Sequence, residues 1–151
     1  MATHNDNSID AQGLGFLIAD VARLLRMEFQ QRMEGKKDLT LAQARALVHV
    51  SRTPGIRQVE LAERLEIKPI TLARLIDQLQ DNNLVERRPD PSDRRAYQLH
   101  PTKQSQPHIK EIGKVIDAMR DEVLGDLNEK EVNMVFGALE KIRGKLSRSK
   151  A

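Results

Sequence analysis

The sequence contains no cysteine. Disulfides, thiolate zinc sites, iron–sulfur clusters and thiol-based redox sensing are therefore excluded. Aromatic residues are scarce: no tryptophan, Tyr97 alone of its kind, and the phenylalanines Phe16, Phe29 and Phe136. That argues against a single-strand nucleic-acid binder, which stacks bases on aromatic platforms. No apolar run approaches the ~18 residues of a membrane span. The polar stretch from Met1 to Gln12 lacks the apolar core of a signal peptide. A cytoplasmic, soluble protein with no membrane partner is the expectation. Neither sign of charge dominates, since 25 basic and 22 acidic residues leave a net charge of +3.

Chemistry is also thinly supplied. There is no Gly-rich phosphate loop, no G-x-S-x-G and no H-E-x-x-H, so no enzyme is expected. His4, His49, His100 and His108 lack helical ligand spacing, and the acids from Asp121 to Glu131 lack the alternation of a calcium loop. Neither a metal nor a cofactor is expected.

What is present is helical periodicity. With 151 residues the chain allows one domain, or a small domain with long helical extensions. Leu14, Leu17, Ile18, Val21, Leu24 and Leu25 recur at helical spacing. Thr40 caps a second helix with Gln43 placed for a capping box, and Ala44, Leu47 and Val48 form its apolar face. Val59, Ala62 and Leu65 are spaced as the inner face of a third. Pro69 suits the first position of a fourth, with Leu72, Ile76 and Leu79 inward and Asn82-Asn83 ending it. Leu84–Arg88 and Ala96–His100 read as strands around a charged, turn-rich tip, a hairpin. Thr102 is positioned to cap a fifth helix, with Pro107 bending or delaying its first turn. Asn128 and Glu131 make a second capping box before the Val132, Val135, Leu139, Ile142 and Leu146 stripe. The end helices carry more apolar stripe than one chain of this size covers, and a second copy is the simplest partner.

The middle of the chain is thus a helix–turn–helix followed by a hairpin, in which the second helix can enter a major groove. Its outward positions are Thr71, Arg74 and Gln78, at i, i+3 and i+7. Arginine reads guanine and glutamine reads adenine, while Lys68 at the helix entry meets a phosphate. The hairpin tip, Asp93-Arg94-Arg95 stiffened by Pro91, fits a narrow minor groove. Asp93 beside phosphate makes sense if it pairs with one arginine and fixes its direction. The competing reading of both features is a solvated face and a local ion pair.

The run Leu39-Thr40-x-x-Gln43, Gln58-x-Glu60-Leu61-Ala62, Leu72-x-Arg74-x-x-Asp77-x-Leu79, Leu84-Val85-x-Arg87 and Asp90-Pro91-x-Asp93-Arg94-Arg95 resembles the MarR family of winged-helix transcriptional regulators. Pro69 to Arg74 and Gln106 to Ile109 look most like its SlyA branch. The resemblance implies a mainly α (α+β) fold: a winged helix-turn-helix lobe over 39–101 and a helical dimerisation lobe over 13–36 and 102–147. Residues 1–12 would be a flexible arm and 148–151 a basic tail. It implies a homodimer on A·T-rich, pseudo-palindromic double-stranded DNA. Thr71 and Arg74 would touch bases, with Pro69 and Ile70 near sugars or thymine methyls. Arg95 would enter the minor groove, Arg94 would contact phosphate or share that groove, and Thr40 and Gln58 would meet the backbone.

Many such proteins release DNA when a small anionic aromatic effector enters a crevice, and Arg23, Arg26 and His49 are the residues placed near one. The plainer reading, favoured by the lack of aromatic lining, is solvated helix faces. Departures from the family pattern include Arg57 where a Ser or Thr cap is usual, Asn83 for Gly, Gln80 for Glu, Pro101 for Leu and Ser105 for Gly. The alternative function is a winged-helix protein-interaction module without specific DNA binding.

Overall fold

The computed structural model describes residues 13–36 and 38–149. The expected arm at 1–12 and the last residues of the basic tail, 150–151, lie outside the described residues. The elements are α1 (Gly13–Met33), α2 (Leu41–Arg52), β1 (Ile56–Arg57), α3 (Gln58–Leu65), α4 (Pro69–Asp81), β2 (Val85–Pro89) and β3 (Tyr97–Pro101). They are followed by a 3-10 turn (Lys103–Ser105), α5 (Gln106–Val123) and α6 (Glu129–Arg148). This is a winged helix-turn-helix: a mainly helical chain with one small antiparallel sheet in the order β1-β3-β2. No helix among the described residues is long and apolar enough to cross a membrane.

Internal contacts divide the chain into two compact units, with the boundary between Val115 and Ile116 inside α5. The first unit holds the core. Leu47 of α2, Leu61 of α3, Leu72, Ile76 and Leu79 of α4 and Leu99 of β3 are all fully buried. The α4 residues recur at three and four, so one helix face is committed to the interior and the opposite face is left to solvent. Ile56 and Arg87 both register with Leu99, which centres the sheet over these helices.

Local chemistry sets the boundaries. At α2 the Thr40 hydroxyl accepts from the Gln43 N–H at 3.2 Å, and the Gln43 side chain accepts from the Thr40 N–H at 2.9 Å. The same box closes α6 between Asn128 and Glu131, at 3.0 and 2.9 Å. Asn83 takes the left-handed conformation (φ 57°) that follows α4, a position asparagine tolerates. The hydroxyl of Thr102 accepts from the Ser105 N–H at 3.2 Å, so it caps the 3-10 turn, and α5 begins only at Gln106 with Pro107 in its first turn. Proline there needs no amide donor.

Two expectations are corrected and one strand is added. The strands lie one residue later than the sequence suggests, at Val85–Pro89 and Tyr97–Pro101. Strand β1 was not foreseen; two residues carry no periodicity, and only their register with Leu99 and Gln98 makes them a strand. The inner face of α3 is Leu61, Ala62 and Leu65, whereas Val59 is 58% exposed. In a helix of 8 residues, the packing of α2 and α4 decides which stripe is buried.

Unit two comprises the end of α5 and all of α6. Helix α6 buries none of its 20 residues, although Val135, Phe136, Leu139 and Ile142 lie along it.

Candidate nucleic-acid interface

The exposed face of α4 presents Thr71, Arg74 and Gln78, opposite the buried Leu72, Ile76 and Leu79. Gln78 is held from one side: its Oε1 accepts from the Gln43 Nε2 at 3.2 Å, and Gln43 is itself fixed by the Thr40 capping box. The Nε2 donor of Gln78 remains for a partner outside the protein. Thr40 is correspondingly engaged in its cap. Arg74, Lys68, Arg94 and Arg95 are exposed, and none has an ion pair among the described residues.

Both helix starts facing this region are open. The N-cap of α3 is Arg57 and that of α4 is Lys68, and neither side chain caps its helix. A cation at a helix N-terminus opposes the macrodipole, and uncapped N–H groups there attract anions. Between these starts and the hairpin lies an open depression of about 330 Å³, lined by Arg57, Gln58, Val59, Pro69, Asp93, Arg95, Ala96 and Tyr97. The large apolar side chains left exposed within residues 39–101 are Val59, Ile70 and Tyr97. Two of these three line that depression, and Ile70 follows its Pro69. Exposed apolar groups gathered between cations fit thymine methyls and sugars.

Arg87 of β2 fixes α4 against the sheet. Its guanidinium donates to Gln58 Oε1 and Gln80 Oε1, each at 2.9 Å, and to the Ala73 carbonyl at 3.1 Å. It also pairs with Asp77 at 2.7 Å, and its side chain is only 18% exposed. Gln58, expected at the DNA backbone, therefore spends its carbonyl on this network. Asp77, Gln80 and Arg87 thereby fix the orientation of α4 on the sheet.

At the hairpin tip, the wing, Asp93 pairs with no guanidinium among the described residues. Its Oδ1 accepts from the backbone N–H of Arg95 at 2.9 Å, so it shapes the loop through the main chain. The carboxylate that takes an arginine is Asp90, which receives the Nε of Arg57 at 2.8 Å. Arg57, which stands where the family pattern has a Ser or Thr cap, thus has its partner 33 positions away.

The residues placed near an effector crevice are dispersed in character. Arg23 is paired with Asp20 at 2.7 Å, Arg26 is exposed, and His49 is half-buried on α2. Arg23 lines an open groove with Phe16, Leu17, Ala19 and Asp20. Burial first, then the charges of Arg45, Arg64 and Arg52, push His49 below its ordinary pKa. Folding thus favours the neutral ring. Its contribution is complete above the unfolded pKa, about 6.5. It is lost as pH falls through that value toward the lower folded pKa. Burial depresses His100 in the same direction. Thermal denaturation should accordingly show a lower midpoint near pH 5.5 than near pH 7.5, with the difference reduced in His49→Gln. A profile identical in that variant would remove His49 as a cause. Among the described residues no His, Asp and Glu cluster could hold a metal ion.

Comparison with known proteins places this geometry. The MarR family model matches residues 39–97. A crystal structure of MarR shares 30% identity, with 89% of this chain and 98% of that one covered and a TM-score of 0.67. The transcriptional regulator SlyA shares 25% identity over 89% of this chain and 94% of its own, with a TM-score of 0.68. A Listeria monocytogenes regulator assigned to the MarR family, solved in complex with a 26mer DNA, has the same fold. Its TM-score is 0.73 at 24% identity, with 90% of each chain covered.

Proposed function

This chain belongs to the MarR family of transcriptional regulators, whose members are not enzymes, and from that premise we propose that it acts as a homodimer binding a specific A·T-rich, pseudo-palindromic duplex. Helix α4 enters the major groove with Thr71 and Arg74 on bases and Gln78 beside them. The wing carries Arg95 into the minor groove, with Arg94 at its edge. Lys68 and the open starts of α3 and α4 take backbone phosphates. One observation carries the reading: Lys68, Arg74, Arg94 and Arg95 are exposed and without an ion pair among the described residues, and Arg95 shares a depression with the exposed Val59 and Tyr97. The neighbour solved with a 26mer DNA supports it. The two half-sites would lie about one turn apart, ~34–36 Å. Relief by a small anionic aromatic effector belongs to the same proposal. Arg26 is the exposed cation available to it, since Arg23 is already paired.

Selection of bound duplexes from a random pool, read at two salt concentrations, tests this. An A·T-rich inverted repeat should emerge and persist at the higher salt. With about three phosphate contacts per protomer, affinity should fall roughly a thousandfold between ~50 and ~200 mM salt. Motif-free binding that vanishes at the higher salt would favour the interaction module.

A further inference from the structure

We infer that Arg57 is a wing-positioning residue, whose guanidinium clamps the neck of the wing to the start of α3 and so sets where Arg94 and Arg95 stand. Its effect on DNA rests on the reading proposed above; its effect on the wing does not. The Nε of Arg57 donates to Asp90 Oδ2 at 2.8 Å and a terminal nitrogen donates to Ser92 Oγ at 3.0 Å. The other Asp90 oxygen accepts from the Ser92 N–H at 2.8 Å and from its hydroxyl at 2.7 Å. The Gln98 amide reaches Oδ2 at 3.5 Å. On the main chain, the Asp90 N–H donates to the Ala96 carbonyl at 3.1 Å. One carboxylate therefore closes the neck of the loop, and one arginine from another element anchors that carboxylate.

The pair has few alternatives. The Asp90 side chain is 3% exposed and that of Arg57 is 45% exposed. A buried carboxylate stripped of its cation is strongly unfavourable, so the pair holds one geometry. Hydrogen bonds from Ser92, then Arg57, keep its carboxyl far below the usual carboxylate range. Strand β1 is 2 residues long, and its ladder to β3 is correspondingly short. The clamp adds to that ladder and to the Arg87–Gln58 bond as a tie between the α3 start and the hairpin, and it is the one that reaches the neck of the loop. An arginine is otherwise a poor occupant of a helix N-cap: it forgoes the Ser, Thr or Asp hydrogen bond and sets a cation against the dipole. Engagement with Asp90 explains why it stands there.

The test uses two variants of the full chain. Arg57→Ser removes the clamp but supplies a helix cap that offsets part of the lost buried pair, so the thermal midpoint should fall only modestly while the wing loosens. Amide exchange at Ser92, Arg95 and Ala96 should quicken by about tenfold or more, the loss expected for a charged hydrogen bond. Amides inside α4 should not change. Asp90→Asn should loosen the same amides. On the selected duplex, each variant should bind about tenfold more weakly. Each should also lose its A·T preference under the wing while keeping its preferences under α4. Asp90→Asn is decisive in sign. Deleting a negative charge beside DNA should tighten binding if Arg57 and Asp90 act only through phosphate electrostatics, whereas the clamp requires weakening. Unaltered exchange at the three wing amides overturns the clamp, whatever the DNA result. Tighter binding by Asp90→Asn also overturns it. A wild-type chain without sequence preference would instead overturn the DNA reading, leaving the exchange result to judge the clamp.

Discussion

Replacing Arg74 by alanine should leave the protein folded and remove much of its ability to tell one DNA sequence from another. The side chain is exposed and unpaired among the described residues, so its loss breaks no internal contact. Surface changes of that kind usually move stability by less than about 0.5 kcal/mol. Binding is another matter. A bidentate arginine–guanine contact is worth roughly 1–3 kcal/mol of discrimination at its base pair. A dimer makes it twice, at half-sites far enough apart to add, giving about 2–6 kcal/mol on the full site. The arm that delivers it is stiff. Leu72, Ile76 and Leu79 hold one face of α4 with no exposure, and Arg87 ties the other side through Ala73 and Asp77. Affinities for the selected duplex and a scrambled one should be measured together. Their ratio should collapse in Arg74→Ala. If both affinities fall by the same factor, Arg74 holds a phosphate and reads nothing.

The elements that present Arg74 were legible in the sequence because their signals are local. Thr40 with Gln43 and Asn128 with Glu131 sit three residues apart, and both boxes close as their spacing implies. Pro69 opens α4 and Asn83 leaves it, again within one turn of the events they control. The stripe Leu72, Ile76, Leu79 is periodic and therefore readable. Most of the misses are long-range. Val59 stood at an inward spacing in α3, but only the neighbouring helices decide that Leu61 is buried in its place. Strand β1 exists through residues more than forty positions away in sequence. Asp93 was assigned a guanidinium because an adjacent arginine was the visible candidate, while its acceptor is taken by a backbone N–H. Arg57 and Asp90 are separated by 33 positions and Arg87 and Gln58 by 29, so nothing in either local pattern couples them. A charged residue whose partner lies on another element reads, in one dimension, as a solvated one. Arg57 in a cap position was the signal that could have been followed: a residue poorly suited to its local role has a reason elsewhere.

The second large effect concerns the faces that the single chain leaves bare. Most of its exposed large apolar side chains lie on α1 and from Val123 onward, with Phe16 82%, Phe136 57% and Leu139 45% exposed. Association costs about 4–15 kcal/mol in lost freedom, and fully burying a Leu or Phe side chain returns roughly 1.5–3 kcal/mol. A few such residues would not suffice, but Met134, Val135, Phe136, Leu139, Ile142 and Leu146 on one helix, doubled by symmetry, would. The purified chain should therefore sediment at twice its 17.2 kDa mass. Leu139→Asp should sediment as a monomer, because an unpaired carboxylate in a dry interface is penalised by several kcal/mol. Helix α6 lies outside the compact unit that holds the winged lobe, so far-ultraviolet helicity should persist. DNA binding then separates the contributions. An isolated half-site should be bound as before, since its contacts come from one α4 and one wing. The full inverted repeat should be bound about 10²–10⁴-fold more weakly, because the second half-site no longer benefits from the effective concentration that the first creates. A variant that stays dimeric would place the interface elsewhere. A wild-type chain that is stably monomeric would remove the palindrome with it, since each half of an inverted repeat needs its own copy of α4.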